Sequence, residues 1–185
     1  MQIFISILRG INVSGQKKIL MIDLKALYEN LKFTDVETYI QSGNVIFKSN
    51  EKLSDIEFAK KIEEEIYKKY DFQVPVIIRR IDEMKHIISA NPFLKEENID
   101  LKKIHVTFLS EVPDKKNVES IVSVDFSPDK FVIRGKEVYL YIPDSYGETK
   151  ISNNFFEKKL KVKATTRNWN TVNKLSEMAF QQINK

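Results

Sequence analysis

Ile7-Leu8-Arg9-Gly10-Ile11-Asn12-Val13-Ser14-Gly15-Gln16-Lys17-Lys18-Ile19 is the stretch on which the architecture turns. An apolar run, Ile3 to Leu8, gives way to a loop carrying Arg, Asn, two Gly and two Lys, and a helix is expected to open around Met21. Strand, glycine loop and helix together aim backbone N–H groups and a helix N-terminus at an anion. Gly10 and Gly15 have the G-x-x-x-x-G spacing of a nucleotide-binding P-loop. Gln16, however, stands where the lysine belongs, and no Ser or Thr follows to hold magnesium. What is left is a looser anion nest with Arg9, Lys17 and Lys18 as its charges. The plainer alternative is that the glycines only permit a tight connection.

Working outward, Gln2 to Leu8 is apolar nearly throughout, which predicts a central strand of a sheet. Ile22, Leu24, Leu27, Tyr28 and Leu31 follow at roughly helical spacing. Val36 to Gln41 and Asn44 to Lys48 read as strands joined by a tight turn at Ser42-Gly43. Ser54 and Glu57 have the spacing of a capping box, ahead of a helix with Phe58, Ile62, Ile66 and Tyr70 on one stripe. Val74 to Ile78 is the next strand, and Pro75 near its start suits a sheet edge. The order is βαββαβ, the split βαβ of ferredoxin-like folds.

The pattern then repeats in kind, though not letter by letter. A bridging helix, Asp82 to Ala90, stops before Asn91-Pro92, and Lys95 to Asp100 reads as loop. Ile104 to Leu109 is a strand, and Pro113-Asp114 starts a helix with Val118, Ile121 and Val122. Phe131 to Arg134 and Glu137 to Ile142 flank a second turn at Gly135-Lys136. Ser152 caps a helix with Phe155, Phe156 and Leu160, and Val162 to Thr165 is a short final strand. Thr166 is expected to cap an amphipathic last helix carrying Trp169, Val172, Leu175 and Ala179. The expected fold is therefore α+β: two ferredoxin-like βαββαβ halves in tandem with a C-terminal helix. The halves are residues 1–80 and 103–185, with a bridge over 81–102.

Composition narrows the function classes. The chain has 185 residues, 42% of them hydrophobic and 30% charged, the balance of an ordinary globular protein. Without cysteine there are no disulfides, thiolate metal sites or cysteine nucleophiles, which suits a reducing compartment. No apolar run approaches a membrane span and no signal-peptide pattern opens the chain, so a cytoplasmic protein without a membrane partner is expected. The net charge is +4, carried almost wholly by lysine, with arginine only at 9, 79, 80, 134 and 167. Lysine is the generic solvated cation, whereas arginine suits bidentate recognition.

The histidines, His86 and His105, stand alone, with no H-E-x-x-H and no G-x-S-x-G, so neither a metal nor a cofactor is expected. Tyr139 and Tyr141 share one strand face, as base-stacking aromatics do in RNA-recognition modules. Lys136 and Glu137 nonetheless occupy the defining places of that motif, and plain packing explains the pair. Thr165-Thr166-Arg167-Asn168-Trp169-Asn170-Thr171 gathers the single Trp, an arginine and two asparagines at a helix mouth, with the polar stretch around Tyr146 shortly before. Exposed, such a set would suit a planar or anionic ligand. Buried, Trp169 would lock the helix onto the core.

Three stretches resemble a bacterial family: Leu8-Arg9-Gly10-Ile11-Asn12-Val13, Thr38-Tyr39-Ile40-Gln41-Ser42-Gly43-Asn44-Val45, and Ala164-Thr165-Thr166-Arg167-Asn168-Trp169-Asn170-Thr171-Val172. It is the domain-of-unknown-function family numbered sixteen ninety-seven, and the likeness spans essentially the whole chain. The family typically carries Gly where this chain has Ser14. The resemblance implies a compact α+β protein with ferredoxin-like halves and no assigned reaction, so no catalytic residue is carried over. The expected ligand-binding set is Arg9, Asn12, Lys17, Gln41, Asn44, Tyr146, Arg167, Asn168, Trp169 and Asn170, converging on a basic polar groove between the halves. Hydrogen bonding plus positive charge, without an obvious nucleophile, favours binding an anionic small molecule or nucleic acid over catalysis. A small-molecule enzyme and a protein-interaction module are the alternatives.

Overall fold

The N-terminal apolar run forms strand β1 (Gln2–Leu8) in the computed structural model, which describes residues 1–184. Two units emerge, Met1–Lys85 together with the segment from Lys174, and His86–Asn173. Each contains a four-stranded antiparallel sheet.

In the first unit β1 is followed by α1 (Met21–Asn30), β2 (Thr34–Tyr39), β3 (Asn44–Ser49), α2 (Asp55–Tyr70) and β4 (Val76–Arg80). The strand order β2-β3-β1-β4 puts β1 inside the sheet, where an apolar run belongs. Phe4, Leu8, Val45, Phe47, Val76 and Ile78 share a core with Leu24, Leu27 and Tyr28 of α1 and Phe58, Ile62 and Ile66 of α2. Ile5, Ile7, Ile46 and Ile77, at the alternate positions, are buried as well. Four phenylalanines centre the core, with Phe33 and Phe47 stacked at 4.4 Å and Phe4 and Phe58 tilted to each other at 4.6 Å. Burying each such ring contributes about 1.5–3 kcal/mol relative to leaving it in water.

The ends of α2 follow the sequence signals. Ser54 N–H donates to Glu57 Oε2 at 2.7 Å, and Glu57 N–H donates back to Ser54 Oγ at 3.3 Å, closing the capping box. Asp71, left-handed at φ 58°, ends the helix after Lys68 and Lys69, cations placed well for its C-terminal dipole. Two local expectations are corrected. Ile22 is 76% exposed, because two residues turn a helix by about 200° and carry it away from Leu24. The turn between β2 and β3 spans Ile40 to Gly43, since Tyr39 pairs with Asn44 and Ile40 adopts φ 49°.

The second unit runs β5 (Ile104–Leu109), α4 (Lys115–Val122), β6 (Lys130–Arg134), β7 (Glu137–Tyr141), α5 (Asn153–Leu160) and β8 (Ala164–Asn168). Its strand order is β6-β7-β5-β8, the same pattern as the first. Leu109, Val138, Leu140 and Ala164 pack with Ile121, Phe156 and Leu160, and Phe126, Phe131 and Phe155 extend this core edge-on. Helix α3 (Ile81–Ser89) follows β4, and α6 (Trp169–Gln181) follows β8. The boundary between the units falls within these two helices.

The expectation for the last strand needs correcting. β8 begins at Ala164 and runs through Thr166, so Thr166 is no cap. Its hydroxyl lies 2.6 Å from that of Thr107 and donates to Asn153 Oδ1 at 2.7 Å. The cap is Asn168, whose Oδ1 accepts from Thr171 N–H at 2.8 Å. Two adjacent β-branched threonines favour strand over helix entry, which the cap reading overlooked.

Candidate functional site

β1 ends at Leu8, whose N–H donates to Gly43 O, and Arg9 N–H donates to Pro75 O, both at 2.8 Å. The chain from Gly10 to Leu20 is built on left-handed residues: Gly10, Asn12, Ser14, Gly15 and Lys17 have φ of 68°, 56°, 49°, 75° and 46°. Ser14 and Gly15 are the central pair of a reverse turn closed by Gln16 N–H on Val13 O at 2.9 Å, the backbone signature of a type I′ turn. Asn12 N–H then bonds Lys17 O at 3.2 Å, making a miniature hairpin within the loop.

Asn12 is the latch of this loop. Its Oδ1 accepts from Ile19 N–H at 2.9 Å, while its Nδ2 donates to Ile19 O at 2.9 Å and to Gln41 O at 2.8 Å. The amide thus closes the loop upon itself and ties it to the β2–β3 turn. Lys17 Nζ adds a strap to Gln73 O at 2.7 Å. Ile11 lies so close to the same turn that a Cβ on Gly43 would sit 2.7 Å from its Cδ1 and 2.8 Å from Leu8 Cβ. Asn44, buried at the start of β3, donates from Nδ2 to Tyr39 O and Ser42 Oγ, each at 3.0 Å.

Of the residues expected at a binding site, Arg9, Asn12, Lys17, Gln41 and Asn44 thus belong to one cluster of the first unit. Asn12 and Asn44 act there as scaffold, Arg9 and Lys17 are half-buried, and Lys18 and Gln41 are exposed. Among the described residues, the N–H groups of Ser14, Gly15, Lys17 and Lys18 have no partner in the protein. Helix α1 opens three residues after Lys18 with Leu20 at its cap position, and no side chain caps its first turn. Sequence reasoning singled out the glycines and cations but missed the turn at Ser14. The Ser-Gly pair was the available signal.

The other five expected residues lie in the second unit. Arg167 is buried on β8, its Nη1 donating to Thr165 Oγ1 at 3.0 Å and Thr166 O at 2.9 Å. Burial pulls its pKa down to about 10, outweighing the opposite influence of Tyr146. Tyr146 stacks on His105, with ring centroids 4.9 Å apart, and His105 Nδ1 approaches Lys103 O at 3.2 Å. Desolvation lowers the His105 pKa below the ordinary histidine value. Asn168 caps α6, Trp169 is buried at its start, and Asn170 is exposed. Here Arg167 braces its own strand and Asn168 starts α6. Among the described residues no group of three or more His, Cys, Asp or Glu side chains is assembled that could hold a metal ion. No described helix is long and apolar enough to cross a membrane.

The fold thus defines a mixed α+β protein with two four-stranded antiparallel sheets and, among the described residues, six α-helices. The model of the family described as "Protein of unknown function (DUF1697)" matches residues 1–139, and the chain belongs to this family. A solved structure of a conserved bacterial protein from Streptococcus pneumoniae is similar at a TM-score of 0.73 and 22% identity, over 96% of this chain and 98% of that one. At that identity the likeness speaks for the fold alone. No curated protein matches the sequence.

Proposed function

We propose that the loop from Arg9 to Met21 is a non-catalytic binding site for a phosphate-bearing ligand: a nucleotide, a sugar phosphate or the backbone of a nucleic-acid strand. One observation carries this reading. After its first strand the second unit passes from Leu109 to α4 through Ser110 to Asp114 alone, and Ser110 N–H bonds Lys163 O just as Arg9 N–H bonds Pro75 O. The sheet order is therefore completed without a long loop. In the first unit the same position holds five left-handed residues and a dedicated latch, an ordering cost that the sheet does not require. Unpartnered N–H groups at Ser14, Gly15, Lys17 and Lys18, the open first turn of α1, and the charges of Arg9, Lys17 and Lys18 share one preference, for an anion. We read both units as ferredoxin-like plaits and the setting as a bacterial cytoplasm.

Thermal unfolding against inorganic phosphate, nucleotides, sugar phosphates and short single-stranded RNA tests the reading, since a ligand of the folded state alone raises the midpoint. The expected result is a rise with at least one phosphate-bearing compound that is lost in Lys18→Glu, an exposed change that leaves the fold intact. A rise that survives salt identifies a small-molecule pocket, whereas one seen only with RNA and fading as salt rises identifies backbone electrostatics. No rise across the panel, or a rise indifferent to Lys18→Glu, overturns the proposal.

A further inference from the structure

Two sheets have four edge strands, and three of those edges are guarded by side chains. On β2 a bulge at Asp35, with φ 49° and a register shift before Glu37, bends the edge, and Gln182 Nε2 donates to Asp35 O at 2.7 Å. On β4, Glu63 accepts from Val76 N–H and Glu83 from Arg80 N–H, both at 2.8 Å. On β8, Glu157 accepts from Ala164 N–H at 3.1 Å. Bulges and capped donors are the devices by which sheets refuse additional strands.

β6 has none of them. It pairs with β7 in unbroken register from Lys130–Tyr141 to Arg134–Glu137, across a two-residue turn with left-handed Gly135 at its first position. The residues flanking such a turn bond each other, so the N–H and C=O groups of Phe131 and Ile133 point away from β7. Among the described residues nothing bonds these groups. Among the described residues β6 is therefore the one straight edge whose outward main chain is open, at the place in the sheet order that β2 occupies in the first unit.

We propose that β6 accepts an extended segment of a partner protein as an added strand, and that the segment carries acidic residues four positions apart. The charges on β6 choose this occupant. Lys130, Val132 and Arg134 project to one face and Phe131 and Ile133 to the other, where they pack on the core. A second copy pairing antiparallel about Val132 would set Lys130 opposite Arg134 twice, and like charges directly opposed repel. A segment with acids facing Lys130 and Arg134 and apolar residues beside Phe131 and Ile133 reverses that repulsion. The present partners are replaceable surface contacts. Lys130 lies 3.1 Å from Glu96 with both side chains substantially exposed, and Arg134 Nη1 donates to Ala90 O at 2.6 Å from an exposed position. β-strand addition takes its affinity from main-chain bonds and its specificity from alternate side chains, and both are laid out along β6.

The test is amide NMR of the full chain titrated with the blocked peptide Glu-Val-Thr-Val-Glu and with its lysine-ended counterpart. The expected result is a shift and slowed hydrogen exchange at Phe131 and Ile133 with the acidic peptide, and binding about tenfold weaker for the lysine form. The exposed double variant Lys130→Glu/Arg134→Glu should invert that order. The single change Lys130→Glu should let the chain dimerise through β6, because it places an acid opposite Arg134 of a second copy. Unmoved Phe131 and Ile133 amides, equal affinity for both peptides, or a native chain that already dimerises through β6 overturns the proposal.

Discussion

The two hairpins β2–β3 and β6–β7 occupy equivalent positions in sheets of the same strand order, yet they are built for different purposes. At the β6–β7 turn the space around Gly135 is open, and Lys136 O accepts from Leu109 N–H at 2.8 Å, as Gly43 O does from Leu8 N–H. The β2–β3 turn is also a surface on which something rests: Ile11 fills the place a side chain on Gly43 would need, and Asn12 is bonded to Gln41 O. Glycine is thus a conformational choice in one hairpin and a packing requirement as well in the other. The long loop and the turn beneath it form one device.

Substituting the two glycines should break the comparison open most widely. Gly43→Ala meets both a left-handed backbone at φ 75° and a collision with Ile11 and Leu8. It should cost about 3 kcal/mol in urea unfolding, the sum of backbone strain and overpacking. Gly135→Ala has only the backbone penalty at φ 59° and should cost about 1 kcal/mol. Equal costs would mean that the loop does not press on the turn.

Next in size is Asn12→Ala, which removes three hydrogen bonds of the latch and should cost about 2 kcal/mol. Hydrogen exchange should rise between Gly10 and Ile19 and leave β5 to β8 unchanged. Loosening of both units would show that the latch is not local. Helix caps sharpen the contrast on a smaller scale. Ser54→Ala opens the capping box of α2 and should cost about 1 kcal/mol, whereas Asp114→Ala, at a cap position of α4 without a side-chain bond, should leave the melting point nearly unchanged.

The smallest effect is confined to the second unit. His105 has its folded-state pKa lowered by burial, so on acidification the unfolded chain takes up the proton first. Its contribution to stability is fully present above the ordinary histidine value near 6.5 and falls as pH drops below it, toward the lower folded pKa. His105→Gln should flatten that part of the profile, and an unchanged profile would exclude His105 as its source.

Local physics was legible in the letters, and contacts between distant segments were not. Ile104 to Leu109 reads as a strand from its own residues and is one, and Ser54 with Glu57 announces a cap three residues wide. The role of Asn12 depends on Ile19 and Gln41, and that of Lys17 on Gln73, partners whose direction no local pattern encodes. The stretch from Thr165 to Trp169 was misread at Thr166, where the strand runs on to Asn168. Arg167 is buried on that strand because the oxygens of Thr165 and Thr166 receive its guanidinium. The glycines and cations after β1 pointed to the candidate site, while the order that makes it distinctive depends on the fold.

The hydrogen bond from Gln182 to Asp35 spans 147 residues, and the second unit is encoded entirely between its two ends. On a ribosome adding about 5–20 residues per second, Asp35 leaves the tunnel roughly 7 to 30 s before its partner. During synthesis the β2 edge therefore waits without its guard while every strand of the second sheet emerges. The bulge at Asp35, which needs only local residues, is the protection available to the nascent chain in that interval, and Gln182 seals the edge once it has itself emerged.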